Sequence, residues 1–268
     1  MRTDSLYSTA RIINSNVSTL NFNQTVTVIE DWIAGKESRY VCICNTHSLV
    51  TASNDAQLAE VLETADLCTP DGMPLVWALK MYGFQEQDRV DGPNLMLRLC
   101  EEAGRKRYKV FLYGGTEETL EKLVYSLKRD YPDADIVGSY SPPFRALTEE
   151  ENQQMTGMIN DSGAELVFVS LGCPKQEIWM YNNRSHINGV MIGVGAAFDF
   201  ISGTMKRSPV FFQKWGLEWL YRLGSDPKRL WKRYAYNNPV YIYRFLKTYR
   251  KNKKISAIAN KSLERGFF

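Results

Sequence analysis

Between residues 39 and 195 the chain alternates short apolar runs with longer segments in which apolar residues recur at helical spacing. The apolar runs, in order, are YVCIC, ADLC, YKVFLY, ADIVG, ELVFVSL and GVMIGVG. Strands of continuous Val, Ile, Leu and Phe are typical of a sheet that is buried on both faces. The helical segments would supply the crossovers between parallel strands. The pattern therefore predicts an α/β fold with a mostly parallel, doubly wound sheet.

The strand pattern stops after the last of these runs, and only short helical segments follow. Pro209, Pro227 and Pro239 mark the expected starts of those helices, because proline fits a first helical turn and disrupts a helix interior. We therefore predict an α/β catalytic domain at residues 1–204 and a C-terminal appendage at residues 205–268.

The charge distribution separates the same two parts. Of 33 Lys and Arg and 30 Asp and Glu, 16 basic and only three acidic residues lie after residue 204, so the appendage carries +13 and the rest of the chain −10. The appendage also holds 14 of the 33 aromatic residues. Basic residues interleaved with Trp and Tyr suit either an anionic membrane surface or a nucleic-acid backbone. Composition alone leaves both partners open.

Cysteine usage and hydropathy favour a cytoplasmic protein. The five cysteines are an odd number, and Cys42 and Cys44 lie in an apolar run, where reduced thiols are commoner than disulfides. No stretch approaches the roughly 20 apolar residues of a membrane span, and the polar opening lacks the apolar segment of a signal peptide. We therefore expect a reducing compartment and no membrane-spanning helix.

Polar and glycine-rich loops follow the predicted strands. They are Asn45–His47, Thr69–Gly72, Gly114–Thr116, Gly172–Glu177 and Gly193–Gly195. In a parallel sheet these loops share the carboxyl edge, where ligands bind. Gly114 and Gly115, followed by Thr116 as a helix N-cap, could hold a phosphate with backbone N–H groups, or could simply form a tight turn that needs glycine. Several such loops on one edge favour a nucleotide or a nucleotide sugar.

Asp71 is the leading candidate for catalysis. A carboxylate between a strand and an apolar helix is either a helix N-cap or a general base at the sheet edge. Asp71 belongs to a set with Asn45, Arg89 and the PKQE segment, and a cap needs no such set. In PKQE, Glu177 fits the first turn of a helix, and Gln176 could face a ligand. This set of residues therefore favours the role of general base for Asp71 over that of N-cap.

Other chemistries find little support in the sequence. His47 and His186 have no Cys or His at zinc-ligand spacing. Asp133–Asp135 spells the Asp-x-Asp that can hold a metal, but it precedes a strand at the amino edge, where a solvated turn is expected. Gly193–Gly195 resembles half of a dinucleotide fingerprint without the acidic residue that completes it. We therefore predict neither a metal nor a cofactor.

Eight motifs in unbroken order over roughly residues 10–236 resemble the WecG/TagA/CpsF family of bacterial glycosyltransferases. They are NTHSLV, ADLCTPDGMPLVWA, DRVDGPNLM, VFLYGG, YPDADIVGSY, LVFVSLGCPKQEIWM, GVGAAFDFISGTMKRSP and LEWLYRLGSDPKRLWKRY. The resemblance implies inverting, metal-independent transfer of a hexose or N-acetylmannosamine-type sugar. The donor would be a nucleotide diphosphate sugar, the acceptor a polyprenyl-diphosphate-linked sugar, and the setting cell-surface polysaccharide or exopolysaccharide synthesis.

The resemblance also implies a Rossmann-like body and a membrane-docking appendage on the inner face of the plasma membrane. It favours a self-associating body, which makes a homo-oligomer possible. Among the catalytic-domain residues, it makes Asp71 the base, Asn45 a wall of the acceptor pocket, Arg89 a phosphate or substrate contact and Gln176 a second ligand contact. The implied appendage cations that close over the diphosphates are Arg222, Arg229, Lys232 and Arg233.

Two positions depart from the family pattern. Ile43 stands where many relatives have Thr, and Asp88 stands where many have Glu. The first departure bears on the identity of the donor or acceptor and not on the reaction class.

A different class of protein also fits the appendage: a non-catalytic, nucleotide-responsive protein that grips nucleic acid with its basic tail. That interpretation leaves Asp71, Asn45 and PKQE without a purpose beyond caps and turns. We therefore predict a glycosyltransferase with no nucleic-acid partner.

Overall fold

The computed structural model describes the backbone of residues 7–265 and the side chains of residues 7–228 and 230–251. The strands are β1 (Thr9–Ile12), β2 (Ser15–Ser18), β3 (Arg39–Cys44), β4 (Leu67–Pro70), β5 (Lys109–Gly114), β6 (Asp135–Tyr140), β7 (Leu166–Ser170) and β8 (Val190–Gly193). The helices are α1 (Phe22–Ala34), α2 (Thr46–Ala52), α3 (Ala56–Thr64), α4 (Met73–Met81), α5 (Gly92–Lys106), α6 (Glu117–Asp130), α7 (Glu149–Asp161), α8 (Lys175–Asn183), α9 (Ala197–Ile201), α10 (Val210–Lys214), α11 (Glu218–Ser225) and α12 (Pro227–Arg265).

Six strands form one parallel sheet in the order β4-β3-β8-β7-β5-β6. Each of the six apolar runs in the sequence overlaps one of these strands. The four residues of β8 are all buried, as a strand covered on both faces requires. The predicted α/β fold with a mostly parallel sheet is confirmed.

Helices cover both faces of this sheet with two apolar cores. One core contains Leu49 of α2, Leu58 of α3 and Met180 of α8. The other contains Ile29 of α1 and Leu95 of α5, with further residues of α6 and α9. Because α6 and α8 follow neighbouring strands and lie on opposite faces, the loops after β5 and β7 diverge at the carboxyl edge of the sheet.

The apolar pattern did not reveal the hairpin β1–β2 or the helix α5. The hairpin strands have four residues each and pair antiparallel, and β1 alternates exposed and buried positions. Ser18 of β2 accepts a hydrogen bond from the Cys68 backbone N–H of β4 at 3.1 Å. Strands this short give a weak signal, and their place beside β4 depends on this tertiary contact.

Pro239 does not start a helix, which corrects the sequence prediction. It lies inside α12, whereas Pro209 is the N-cap of α10 and Pro227 is the first residue of α12, as expected. Tyr241, two residues later, is 3% exposed and donates its hydroxyl hydrogen to the Pro74 carbonyl at 3.0 Å. Packing of α12 on the body offsets the helical hydrogen bond that proline removes.

The last strand ends at Gly193, and only helices follow in the described part of the chain. No residue of α10 or α11 is buried, and α12 buries Leu230, Tyr241 and Phe245. Among the described residues, none of the helices combines the length and apolar character that a bilayer crossing requires. Tyr241 and Phe245 join the core on one face of the sheet, so α12 attaches the appendage to the body by apolar packing.

Candidate functional site

A cavity of about 470 Å³ opens at the carboxyl edge of the sheet, between the body and the appendage. Its polar wall comes from the β3–α2 and β4–α4 turns, from the segment before α5 and from α11 and α12. The polar residues that line it include Asn45, His47, Asp71, Arg89, Glu218, Arg222, Arg233 and Asn237. The structure thus brings predicted residues from both ends of the chain to one place.

The structure excludes the N-cap role for Asp71. The N-cap of α4 is Gly72, with φ at 99°, and no side chain caps this helix. Asp71 Oδ1 instead accepts a hydrogen bond from Arg89 Nε at 2.8 Å and forms an ion pair with Arg89 Nη2, also at 2.8 Å. The Asp71 backbone N–H donates to the Cys44 carbonyl at 2.7 Å, which fixes the end of β4 beside the end of β3. Asp71 is therefore an oriented carboxylate in the cavity wall.

Arg89 joins Asp71 to the appendage. Its Nη1 lies 2.8 Å from Glu218 Oε2 at the start of α11, and the three side chains are between 15% and 23% exposed. Burial alone would lower the pKa of Arg89, but the carboxylates of Asp71, Glu218 and Asp91 outweigh it and raise the pKa above its ordinary value. The described bonds of Arg89 go to protein carboxylates, so its predicted contact with substrate stays a prediction.

A second ion pair ties the start of the appendage to the body. Asp91 is the N-cap of α5, where its Oδ1 accepts from the Asn94 backbone N–H, and Arg207 Nη2 contacts the same oxygen at 2.7 Å. Burial, followed by the nearby Asp71 carboxylate, raises the pKa of Asp91 despite the two arginines beside it. Sequence reasoning missed both residues, although they lie in the motifs DRVDG and TMKRSP.

Asn45 and His47 also line the cavity. The Asn45 side-chain oxygen caps α2 by accepting from the backbone N–H groups of His47 and Ser48, so Nδ2 lies outside the cap. His47 Nδ1 accepts a hydrogen bond from Asn237 Nδ2 of α12 at 3.2 Å. Burial, followed by the charge of Arg233, lowers the pKa of His47 to about 4. Sequence reasoning gave His47 no role as a zinc ligand, although it placed the Asn45–His47 loop at the carboxyl edge of the sheet.

Two of the four predicted appendage cations line the cavity. They are Arg222, whose guanidinium lies 5.3 Å from the Phe200 ring centre, and Arg233. Lys232 is exposed, lies 5.9 Å from the ring centre of Trp231 and does not line the cavity. The Arg229 side chain lies outside the described residues.

Gly114 and Gly115 lie on the same sheet edge, outside the cavity. A side chain on Gly114 would meet the Ser170 carbonyl oxygen at 2.3 Å, so the turn needs glycine there. The Gly115 backbone N–H donates to that same carbonyl at 3.1 Å. Glu117 and Glu118 occupy the first turn of the following helix, where their charge opposes an anion. A structural reason for both glycines is thus present, and their phosphate role stays a prediction.

Gln176 and Glu177 are 3% and 1% exposed and do not line the cavity. Gln176 Oε1 accepts from the Gly195 backbone N–H at 3.1 Å, and Gln176 Nε2 donates to Glu177 Oε1 at 2.9 Å. Burial raises the pKa of Glu177. The pair braces the loop after β8, and direct contact of Gln176 with a ligand stays a prediction.

Asp133 and Asp135 lie at the opposite edge of the sheet from Asp71. Asp135 is the first residue of β6, paired with Lys109 at the amino end of β5. Within the described ranges, no three His, Cys, Asp or Glu side chains are grouped so that they could hold a metal ion. All five cysteines are free thiols.

Comparison with known proteins identifies a glycosyltransferase family. The model of the "Glycosyl transferase WecG/TagA/CpsF family" matches residues 10–255. A curated relative from Bacillus spizizenii, an N-acetylglucosaminyldiphosphoundecaprenol N-acetyl-beta-D-mannosaminyltransferase, is 33% identical over 217 residues. The alignment covers 80% of this chain and 81% of the relative. The family match thus includes both the parallel sheet and most of the appendage.

Proposed function

We propose, on the premise that this chain belongs to the WecG/TagA/CpsF family of glycosyltransferases, that it transfers a sugar from a nucleotide diphosphate donor to a polyprenyl-diphosphate-linked sugar. The relative's name describes transfer of N-acetylmannosamine to a diphosphoundecaprenol-linked N-acetylglucosamine. The family and this relative bear out the predicted glycosyltransferase and its place in cell-envelope polysaccharide synthesis.

The orientation of Asp71 carries the proposed mechanism. In an inverting transfer, the acceptor hydroxyl attacks the anomeric carbon from the face opposite the leaving nucleotide diphosphate, so the base stands beside the acceptor. Asp71 lines the cavity, and Arg89 fixes one of its oxygens. We assign Asp71 as the base that accepts the hydroxyl proton and Asn45 as a polar contact to the acceptor.

Arginines of the appendage supply the positive charge that a diphosphate requires. Arg222 and Arg233 line the same cavity as Asp71, and guanidinium groups bind phosphate oxygens with two parallel hydrogen bonds. Arg229 and Lys232 are proposed as further cations. This supply of charge supports transfer without a metal ion. Gly114, Gly115 and Gln176 stay candidate donor contacts at the neighbouring strand ends.

The exposed aromatic residues of the appendage support peripheral attachment to an anionic membrane. Phe211, Trp215, Trp231 and Tyr243 are between 52% and 66% exposed. Lys and Arg would meet lipid phosphates while these rings settle at the headgroup level. We propose attachment to the inner face of the plasma membrane. Basic residues of the appendage line one cavity with Asp71, which favours a membrane-attached glycosyltransferase over a protein that binds nucleic acid.

The proposal is tested with purified full chain, a panel of nucleotide sugars and a polyprenyl-diphosphate-N-acetylglucosamine acceptor in detergent, with a chelator present. Sugar should be transferred with inversion of the anomeric centre, read by NMR of the product. Asp71→Asn should lower turnover by about 10²-fold or more, the contribution typical of a general base.

Asp133→Asn, at the other edge of the sheet, is the matched control and should keep turnover within about twofold, as surface changes usually do. Near-normal turnover of folded Asp71→Asn would remove Asp71 from the base role. Loss of activity in the chelator, restored by Mn²⁺, would contradict metal independence. No transfer from any donor would contradict the reaction itself.

A further inference from the structure

The cavity around Asp71 has an apolar side that the proposed chemistry does not use. Six of its lining residues form this side, which we name the apolar slot. They are Met73 and Trp77 of α4, Trp215 and Leu217 of the α10–α11 turn, Trp219 of α11 and Ile242 of α12. The slot therefore lies between one helix of the body and two helical segments of the appendage.

A glycine and a hydrogen bond hold the two sides of the slot together. Gly216 has φ at +70°, and a side chain there would come within 2.9 Å of Met73 Cβ and 3.2 Å of Trp77 Cη2. On the other side, the Tyr241 hydroxyl donates to the Pro74 carbonyl of α4 at 3.0 Å. The appendage thus closes on α4 at van der Waals distance, so the slot is built by both parts.

The mouth of the slot exposes large aromatic rings. Trp77 is 50% exposed and Trp215 is 65% exposed. The Trp215 ring lies 5.8 Å from the ring of Phe211, which is 61% exposed, so the slot continues into the aromatic surface of the appendage. Grouped apolar surface beside a polar pocket is typical of a binding site for an apolar ligand segment.

The slot and the polar wall match the two ends of one amphiphile. Arg222 and Arg233 suit phosphate oxygens of the donor and of the acceptor, Asp71 suits the acceptor's sugar hydroxyl, and Trp77 and Trp215 of the same cavity suit a hydrocarbon. We propose that the apolar slot binds the first isoprene units of the polyprenyl chain of the acceptor, with Trp77 as a specificity-determining wall. This assignment rests on the proposed function, because the acceptor there is a polyprenyl diphosphate.

Trp77 belongs to the body, whereas the surface expected to meet lipid belongs to the appendage. Trp231 is 52% exposed, close to the 50% of Trp77, and does not line the cavity. Trp231 therefore serves as the matched control. If exposed tryptophans attract lipid in general, substitution of either residue weakens binding of a prenyl ligand. If the slot binds the prenyl chain, only substitution of Trp77 does.

The test compares two ligands that share a diphosphate. Full-length protein, without detergent or vesicles, is titrated with farnesyl diphosphate and with inorganic pyrophosphate by calorimetry. The wild type should bind farnesyl diphosphate at least about tenfold more tightly, since aromatic contacts in pockets carry effects of this size. Trp77→Ser should lower the affinity for farnesyl diphosphate about tenfold and leave the affinity for pyrophosphate unchanged. Trp77→Phe should retain most of the wild-type affinity for farnesyl diphosphate. Ile242→Ser should lower that affinity by less than Trp77→Ser does.

Trp231→Ser should change neither affinity. The slot would be overturned if Trp77→Ser lowered the affinities for both ligands equally. It would also be overturned if Trp231→Ser lowered the affinity for farnesyl diphosphate as much as Trp77→Ser does. A wild type that transfers sugar but binds farnesyl diphosphate no better than pyrophosphate would overturn the slot alone. A wild type that prefers farnesyl diphosphate but transfers no sugar would support the slot and overturn the reaction.

Discussion

The body and the appendage bury their apolar residues in different ways. In the body, Phe111, Phe168 and Phe198 are at most 1% exposed, in cores on the two faces of the sheet. In the appendage, α10 and α11 bury no residue, and several tryptophan and tyrosine rings stay more than half exposed. The body is built around these cores, to which the appendage adds Tyr241 and Phe245, whereas α10 and α11 leave all of their residues at least partly exposed.

The appendage is held on the body by packing of Tyr241 and Phe245 in one core and by polar contacts. They join Arg89 to Glu218, Asp91 to Arg207, His47 to Asn237, Pro74 to Tyr241, and Ser53 and Asn54 to Arg244. The first three of these lie in or beside the cavity. We therefore expect stability to depend mainly on the cores of the body, and activity to depend also on the appendage residues that line the cavity.

The largest expected effect separates the two regions by stability. Phe168→Ala should lower the free energy of unfolding by about 3–5 kcal/mol, because it empties a fully buried site in β7. Trp215→Ala, at a position 65% exposed, should change it by less than about 0.5 kcal/mol. Urea unfolding followed by circular dichroism measures both. Similar losses in the two variants would contradict the contrast between core and appendage.

Deletion of residues 205–268 should leave a folded body that no longer sediments with anionic vesicles. Turnover should fall by about 10²-fold or more, because two guanidinium groups leave the cavity. For the full chain, added salt should weaken sedimentation, since each basic residue near the surface contributes about 1 kcal/mol. Equal sedimentation of both forms would contradict membrane attachment, and full turnover of the shortened form would contradict a shared site.

A smaller effect is expected at the junction between the two regions. Glu218→Gln should lower turnover about tenfold, because it removes one charge from the buried Asp71–Arg89–Glu218 network. Glu151→Gln is the control, because Glu151 pairs with Arg145 at an exposed position. That variant should retain wild-type turnover. If the two variants behave alike in a steady-state assay, the junction does not position Asp71.

The smallest effect concerns pH and His47. Burial, followed by the charge of Arg233 in the appendage, lowers the pKa of His47 from about 6.5 to about 4, so the structure with the appendage in place binds fewer protons than a state in which His47 is exposed. Docking should therefore weaken as pH falls from 7.5 towards 5.5. The turnover of His47→Gln, divided by that of the wild type, should rise about threefold over this range. A ratio that does not change with pH would show that His47 does not report docking.

Local sequence patterns predicted the parallel sheet, the Thr116 cap and the division of charge. Continuous apolar runs mark strands buried on both faces whichever neighbours they pair with. Thr116 caps α6 and Thr148 caps α7 through backbone N–H groups three residues away, so each cap is written in a few adjacent positions. The loops after the strands also marked Asn45 and Asp71 for the site, because all parallel strands end at one edge.

The contacts that these site residues make depend on the tertiary structure. The bond between Arg89 and Glu218 joins residues 129 positions apart, and no local pattern encodes it. Packing of Tyr241 against α4 lets α12 continue through Pro239, against the local preference of proline. Asp71 does not cap α4, because Gly72 takes the N-cap position. The Asp71 carboxylate pairs with Arg89 instead. Local signals act within a few residues, whereas ion pairs and packing depend on which distant segments the fold brings together.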